Sequence, residues 1–110
     1  MSIELPNAEG TNSSQPNHHN EAALFPLGRV VATPGALEQC EKCNVSPLSL
    51  IGRHHHGDWG NLCADDLAAN ESALFAGGRL LSAYVMAGTK LYVITEWDRS
   101  ATTLLKASEY

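Results

Sequence analysis

The stretch that decides the fold is Arg79-Leu80-Leu81-Ser82-Ala83-Tyr84-Val85-Met86-Ala87-Gly88-Thr89-Lys90-Leu91-Tyr92-Val93-Ile94-Thr95-Glu96-Trp97-Asp98-Arg99-Ser100-Ala101-Thr102-Thr103-Leu104-Leu105-Lys106. It is dense in aliphatic, aromatic and β-branched residues, and turn-forming residues interrupt it twice. Gly88-Thr89 predicts a two-residue hairpin turn between strands over Arg79 to Ala87 and Lys90 to Trp97. Asp98-Arg99-Ser100 predicts a second turn, into a third strand over Ala101 to Lys106. Three strands joined by tight turns run up and down, which makes this segment an antiparallel meander.

Upstream, helix signals take over. Thr33-Pro34 pairs a good N-cap with the residue suited to the first helical position, and predicts a helix from Pro34 to about Cys43. Ser46-Pro47 repeats the signal and predicts a second, from Pro47 to about His55, with Leu48, Leu50 and Ile51 towards the core. Gly57 and Gly60 end it in a tight loop around Asp58-Trp59. Asp65-Asp66 complements the dipole at the start of a third helix, about Ala64 to Phe75, striped by Leu67, Leu74 and Phe75. Gly77-Gly78 stops it. Before all three, residues 27–32 read as a short strand. The expected fold class is α+β: three helices packed on a three- to four-stranded, mainly antiparallel sheet with a C-terminal β-meander.

The chain has 110 residues, enough for one domain. Residues 1–23 are rich in Asn, Ser, Gln, Gly and Pro and carry no Lys or Arg. Such a segment buries too little apolar surface to offset its ordering entropy, so residues 1–23 are expected to form a disordered tail and residues 24–110 a single α+β domain. Glu4, Glu9 and Glu21 account for three of the net five negative charges, which leaves the domain at −2. A mildly acidic domain without a basic stripe makes duplex DNA a poor partner, because phosphate neutralisation supplies most of that affinity. No secretory pattern and no apolar run of about 18 residues is read, so neither export nor a membrane is expected. Three Cys do not close a disulfide framework. The expected location is the cytoplasm.

Chemistry-bearing side chains concentrate in two blocks, Arg53-His54-His55-His56-Gly57-Asp58-Trp59-Gly60 and Thr95-Glu96-Trp97-Asp98-Arg99-Ser100-Ala101-Thr102-Thr103. Adjacent helical residues are turned by about 100°, so the three His cannot share one face. At a helix C-terminus a His caps free carbonyls and gains from the dipole, whereas His54 beside Arg53 could also serve as an acid–base group. Asp58-Trp59 reads either as a core plug with a capping carboxylate or as a stacking surface. The predicted turns place Ser82 opposite Thr95, and Thr95 opposite Thr103, with Tyr84 and Trp97 nearby. That hydroxyl row is either a cross-strand ladder or the floor of a site with Arg99 at its rim. The candidate catalytic set is therefore Arg53, His54, Thr95, Arg99 and Thr103, with Asp58, Trp59, Ser82 and Trp97 as binding residues. No metal and no cofactor is expected. The alternative is zinc held by Cys40, Cys43, His54 and Cys63, a ligand set of suitable chemistry but without a repeated Cys pair. No phosphate-cradling loop or nucleophile elbow is present.

Residues 24–110 resemble a family of short bacterial proteins labelled plasmid-related or hypothetical and associated with plasmids, phages and integrated elements. The likeness rests on Leu24 to Leu37, Ser46-Pro47-Leu48, Arg53-His54, Gly57-Asp58-Trp59-Gly60, Leu81-Ser82-Ala83-Tyr84, Val93-Ile94-Thr95-Glu96, Asp98 to Thr103 and Glu109-Tyr110. The chain departs from the family pattern at Cys40, Cys43 and Cys63, at His55-His56, and at Lys106-Ala107-Ser108 where a Pro-containing tail is expected. The departures speak against a general zinc role and leave Arg53-His54 as the carried-over portion. The resemblance implies lineage in mobile elements and attaches no activity.

The leading expectation is a non-catalytic accessory protein that binds a macromolecular partner, a protein above all. One alternative is a metal-independent ribonuclease or toxin-like nuclease, with RNA as substrate. There His54 would take the 2′-hydroxyl proton, and Arg53 and Arg99 would steady the phosphorane beside Thr95 and Thr103. The other is a zinc-stabilised interaction module.

Overall fold

The computed structural model describes residues 2–5 and 23–110. The elements run β1 (Ile3–Glu4), β2 (Arg29–Ala32), α1 (Pro34–Lys42), α2 (Pro47–His55), α3 (Ala64–Ala76), β3 (Leu80–Met86), β4 (Thr89–Thr95) and β5 (Ala101–Lys106), with a single 3₁₀ turn over Ala107–Glu109. The fold is α+β. Among the described residues no helix is long and apolar enough to cross a membrane.

The helix starts follow the signals in their sequences, except that Ser46 makes no side-chain cap bond at the start of α2. Thr33 Oγ1 accepts the Ala36 N–H at 3.1 Å, and Pro34 occupies the first turn of α1. Pro47 does the same for α2, and Asp65 and Asp66 open α3. Gly77, at φ 82°, ends α3 in a conformation that L side chains rarely adopt.

The sheet is larger and less uniform than expected. It has five strands in the order β1-β2-β5-β4-β3, and β2 lies parallel to β5 while the other pairs are antiparallel. A mixed five-stranded sheet thus replaces the three- to four-stranded, mainly antiparallel one. The outer edge of β5 is the free side of the meander. β2 reaches it after the chain has folded back, with Arg29 N–H on Ser100 O and Thr33 N–H on Leu104 O, each at 3.0 Å. No local signal encodes a pairing between segments some seventy residues apart.

Ile3 and Glu4, placed by composition in the tail, form the edge strand β1. Leu5 N–H donates to Val30 O at 2.7 Å, and Arg29 meets Glu4 at 3.4 Å. The rest of the tail, residues 1 and 6–22, lies outside the described residues.

Register decides which side chains meet. The first hairpin turns at Ala87-Gly88, one position earlier than Gly88-Thr89. Met86 pairs with Thr89, and φ is 52° at Ala87 and 81° at Gly88, as a type I′ turn requires. Ser82 therefore faces Val93 and Leu80 faces Thr95, yet Ser82 and Thr95 keep a common face because the turn moved as a pair. The second connection is longer than the predicted three residues. Glu96 N–H bonds Ala101 O, Arg99 N–H bonds Glu96 O, and Arg99 sits at φ 60°, so residues 97–100 form the loop. This slips the β4–β5 register by one: Thr95 pairs with Thr102 and Ile94 with Thr103. A one-residue slip exchanges faces, so Thr103 turns away and Thr102 takes its place.

The inner face presents Val30, Ala32, Leu80, Tyr84, Leu91, Val93 and Leu104, all buried, to Ala36 and Cys40 of α1 and Leu50 and Ile51 of α2. Burying Leu50 and Ile51 contributes roughly 1.5–3 kcal/mol each relative to exposure. The outer edge of β3 is covered in two ways. Ala83 exchanges backbone bonds with Trp59 and Asn61, and the Asn70 amide pairs with both the N–H and the C=O of Leu81, at 3.0 and 2.7 Å. A side-chain amide thus imitates one rung of a missing strand and blocks the edge.

Candidate functional site

α2 ends against the sheet, and its last turn aims His54 into the core. The imidazole is fully buried. Its Nδ1 lies 2.6 Å from Ser82 Oγ and its Nε2 lies 2.8 Å from Thr95 Oγ1. Thr95 Oγ1 lies 2.7 Å from Thr102 Oγ1, which donates to Leu27 O at 2.7 Å. The carbonyl of Leu27 can only accept, so the Thr102 proton is committed to it. Thr95 must then donate to Thr102, His54 must donate from Nε2 to Thr95, and Ser82 must donate to Nδ1. One carbonyl therefore sets the tautomer of a histidine three hydrogen bonds away.

Burial pushes the His54 pKa down from 6.5 to about 3, with smaller contributions from His55 and the Arg99 charge. The ring stays neutral. Phe25 and Trp59 pack edge-on against it at centroid distances of 5.2 and 5.5 Å, and Phe25 stacks on Trp59. Trp59 is the buried core plug, its exposure only 7%. A buried, neutral imidazole with both nitrogens engaged offers no proton acceptor to a substrate.

The other two histidines do separate work. His55 packs its ring 5.7 Å from Phe25, and its carbonyl accepts the Leu24 N–H. His56 Nδ1 lies 2.9 Å from Gly52 O, at the C-terminal end of α2.

Arg53 leaves the same turn in another direction. It lies at the surface, bonds Asp58 at 2.7 Å and covers the Tyr84 ring at 4.4 Å. The hydrogen bond with Arg53 holds the Asp58 carboxyl below its usual range, and its counterpart raises the Arg53 guanidinium. Tyr84 donates to Asp58 O at 2.6 Å, and burial pushes its phenol up to about 12. Asp58 thus caps its own loop, through its side chain on Arg53 and Gly60 N–H and its carbonyl on Tyr84.

Arg99 approaches the His54 cluster, its guanidinium carbon 5.9 Å from the Phe25 ring centre. Its Nη1 donates to the main-chain carbonyls of Gly78 at 2.5 Å, Glu96 at 3.1 Å and Trp97 at 3.2 Å, and its Nη2 to that of Ala73 at 3.0 Å. This clamps the end of α3 to the β4–β5 loop. Asp98 accepts from Ser100 N–H at 3.0 Å, the turn bond its position suggests. Trp97, on that loop, is 70% exposed.

Of the nine candidate residues, the structure gathers His54, Ser82 and Thr95 around one buried point, with Trp59 against it and Arg99 close by. It sends Arg53 and Asp58 to the surface beside Tyr84, Trp97 outward and Thr103 to the opposite face. Thr102, Leu27 and Asn70 belong to these networks and were missed. Asn70 carried a signal, a lone amide on the apolar stripe of an alanine-rich helix. Cys40 is buried, which raises its pKa, and Cys63 is exposed at the start of α3. Among the described residues no three His, Cys, Asp or Glu side chains are grouped to hold a metal ion, and both His54 nitrogens are already engaged.

A cleft of about 260 Å³ opens elsewhere, between α3 and the outer face of β3 and β4. No protein-family model matches the chain, no curated protein matches it, and no solved structure does.

Proposed function

We propose that the chain is a non-catalytic binding protein that engages a basic amphipathic segment of another protein through the outer face of α3. The observation that carries this reading is Phe75, a large apolar side chain that is 90% exposed on α3 among the described residues. At 100° per residue, Ala64, Ala68 and Phe75 fall within about 40° of one another, flanked by Glu71 on one side and Asp65 on the other. All five are exposed. α3 holds Asp65, Asp66 and Glu71 and no Lys or Arg, so charge complementarity calls for a cationic partner and disfavours nucleic acid and anionic lipid. An exposed aromatic anchor one turn from Glu71, on a helix that carries acidic residues and no basic one, suits a helix with an apolar stripe and lysines beside it. The resemblance to mobile-element proteins supplies a setting, an accessory factor acting on a host or element protein.

The test is fluorescence anisotropy with two labelled amphipathic peptides of equal hydrophobicity, one lysine-rich and one glutamate-rich. The lysine-rich peptide is expected to bind with a micromolar Kd that weakens with salt, and Phe75→Ser to weaken it at least about tenfold. Equal binding of both peptides, or an unchanged Kd in Phe75→Ser, refutes the reading.

A further inference from the structure

The cleft under α3 lies on the flank opposite Phe75: Asp66, on its wall, is nine residues from Phe75, about 180° around the helix. Its floor is apolar, made by Leu81, Tyr92 and Ile94 of the sheet with Ala69 above. The Asn70 amide also borders it but is committed to the Leu81 backbone. That leaves the Asp66 carboxylate, the Arg79 guanidinium and two phenols as the polar groups facing the space.

Arg79 is held in place. It donates to the Tyr110 hydroxyl, and its guanidinium carbon lies 5.8 Å from the Tyr110 ring centre. Tyr110 in turn meets Tyr92 edge-on at 5.8 Å. One Nη is fixed by the phenol, and the exposed remainder of the fork can meet a carboxylate. Among the described residues the ion pairs are Arg29–Glu4 and Arg53–Asp58, so Arg79 and Asp66 border the same cleft without closing on each other. Two opposite charges on the border of one cleft, not paired with each other, match a dipolar ligand that carries its ammonium and carboxylate on one carbon. A ligand with one charge alone would leave one of them unmatched. The volume is below the roughly 300–1,000 Å³ of ordinary ligand pockets, which restricts the occupant to one ring and its head group.

We infer that this cleft binds an aromatic α-amino acid as its zwitterion. The carboxylate pairs with Arg79, the ammonium with Asp66, and the ring lies on the floor against Tyr92. The site is independent of the α3 outer face, and neither needs the other to be occupied.

The experiment is an NMR titration of the full chain, following backbone amides, with L-phenylalanine, 3-phenylpropionate and phenethylamine. The last two lack the ammonium and the carboxylate respectively. L-phenylalanine is expected to shift Leu81, Tyr92 and Ile94 with a Kd on the order of 1 mM or tighter, and each analogue to bind at least about tenfold more weakly. Arg79→Met should bring L-phenylalanine down to the level of phenethylamine, and Asp66→Asn down to that of 3-phenylpropionate. Ala69→Phe, which fills the cleft from an exposed helix position, should abolish the shifts while the spectrum stays folded. Equal binding of the three ligands, shifts that map away from the cleft, indifference to Arg79→Met, or a silent titration up to the solubility limit each overturn the proposal.

Discussion

Thr102 Oγ1 donates to the carbonyl of Leu27 at 2.7 Å, and this bond orients every proton in the chain that ends at Ser82. Thr102→Val removes the donor to Leu27 O and takes from the buried Thr95 hydroxyl its acceptor. A loss of about 1–3 kcal/mol is expected. Thr103→Val, on the opposite face and only half-buried, should stay within about 0.5 kcal/mol of wild type. Urea unfolding of the two variants measures the register directly. Equal effects would contradict the Thr95–Thr102 pairing.

Acidification should destabilise the fold through His54. Its folded pKa, about 3, lies below the ordinary 6.5 of an unfolded chain. The unfolded state therefore binds the extra proton between those values. The stabilisation is complete above 6.5 and is lost as pH falls through that window, at about 1.4 kcal/mol per pH unit. Asp58 and Glu109, whose carboxyl pKa values are lowered by hydrogen bonds, lose their contribution only nearer their own range, so pH 6 to 5 separates the imidazole from these carboxyls. Denaturation midpoints across this interval should fall in wild type and lose most of that slope in His54→Gln. A flat wild-type profile would contradict a neutral, buried ring.

Arg99 joins four main-chain carbonyls, those of Ala73 in α3, Gly78 just after it, and Glu96 and Trp97 after β4, and its planar fork is what reaches them. Arg99→Ala should cost about 2–4 kcal/mol, and Arg99→Lys should recover little of it, since an ammonium cannot span the same directions. Amide hydrogen exchange should rise at the end of α3 and in residues 97–100 together. Full rescue by Lys would reduce Arg99 to a surface charge.

Two glycines are required by close approach. A Cβ on Gly28 would stand 2.4 Å from Arg99 O, and one on Gly60 2.1 Å from Ala83 O, both at positive φ. Gly28→Ala and Gly60→Ala should each cost roughly 3 kcal/mol or more. Gly52, within α2, has nothing within 4 Å of its Cβ position, and Gly52→Ala should stabilise by about 0.5–1 kcal/mol. Thermal melts of the three variants give the comparison, and a destabilised Gly52→Ala would break it.

Asn70 substitutes for a strand, so Asn70→Asp, which keeps the acceptor and loses the donor, should cost about 1–3 kcal/mol by leaving Leu81 O unpaired. In Asn70→Ala, which also removes the acceptor, exchange of the Leu81 amide is the specific readout. Protection equal to wild type in Asn70→Ala would show that the edge is covered by something else.

Much of this molecule is legible locally. Thr33-Pro34, Ser46-Pro47 and Asp65-Asp66 placed three helix starts, because caps, proline and first-turn charge act within a few residues. The meander was legible because alternation and turn chemistry are also short-range. The meeting of His54 with Ser82 and Thr95 could be anticipated in outline, since the first hairpin kept its parity although its turn moved by one residue. Thr103 was misplaced because one extra loop residue, with Arg99 at positive φ, exchanges the faces of β5.

What the amino-acid order determined alone is the three helices, the strand before them, the meander and the crowding of polar groups into two blocks. The tertiary structure decided what those groups are for. β2 paired in parallel with β5 and brought Leu27 O to Thr102, α2 carried His54 beneath the sheet while turning Arg53 outward, and Arg99 was drawn onto carbonyls of α3. Each outcome depends on which strand edge was free and on which polar group had lost its water. Neither is a property of any short stretch of sequence, because burial and long-range pairing exist only once the whole chain has closed.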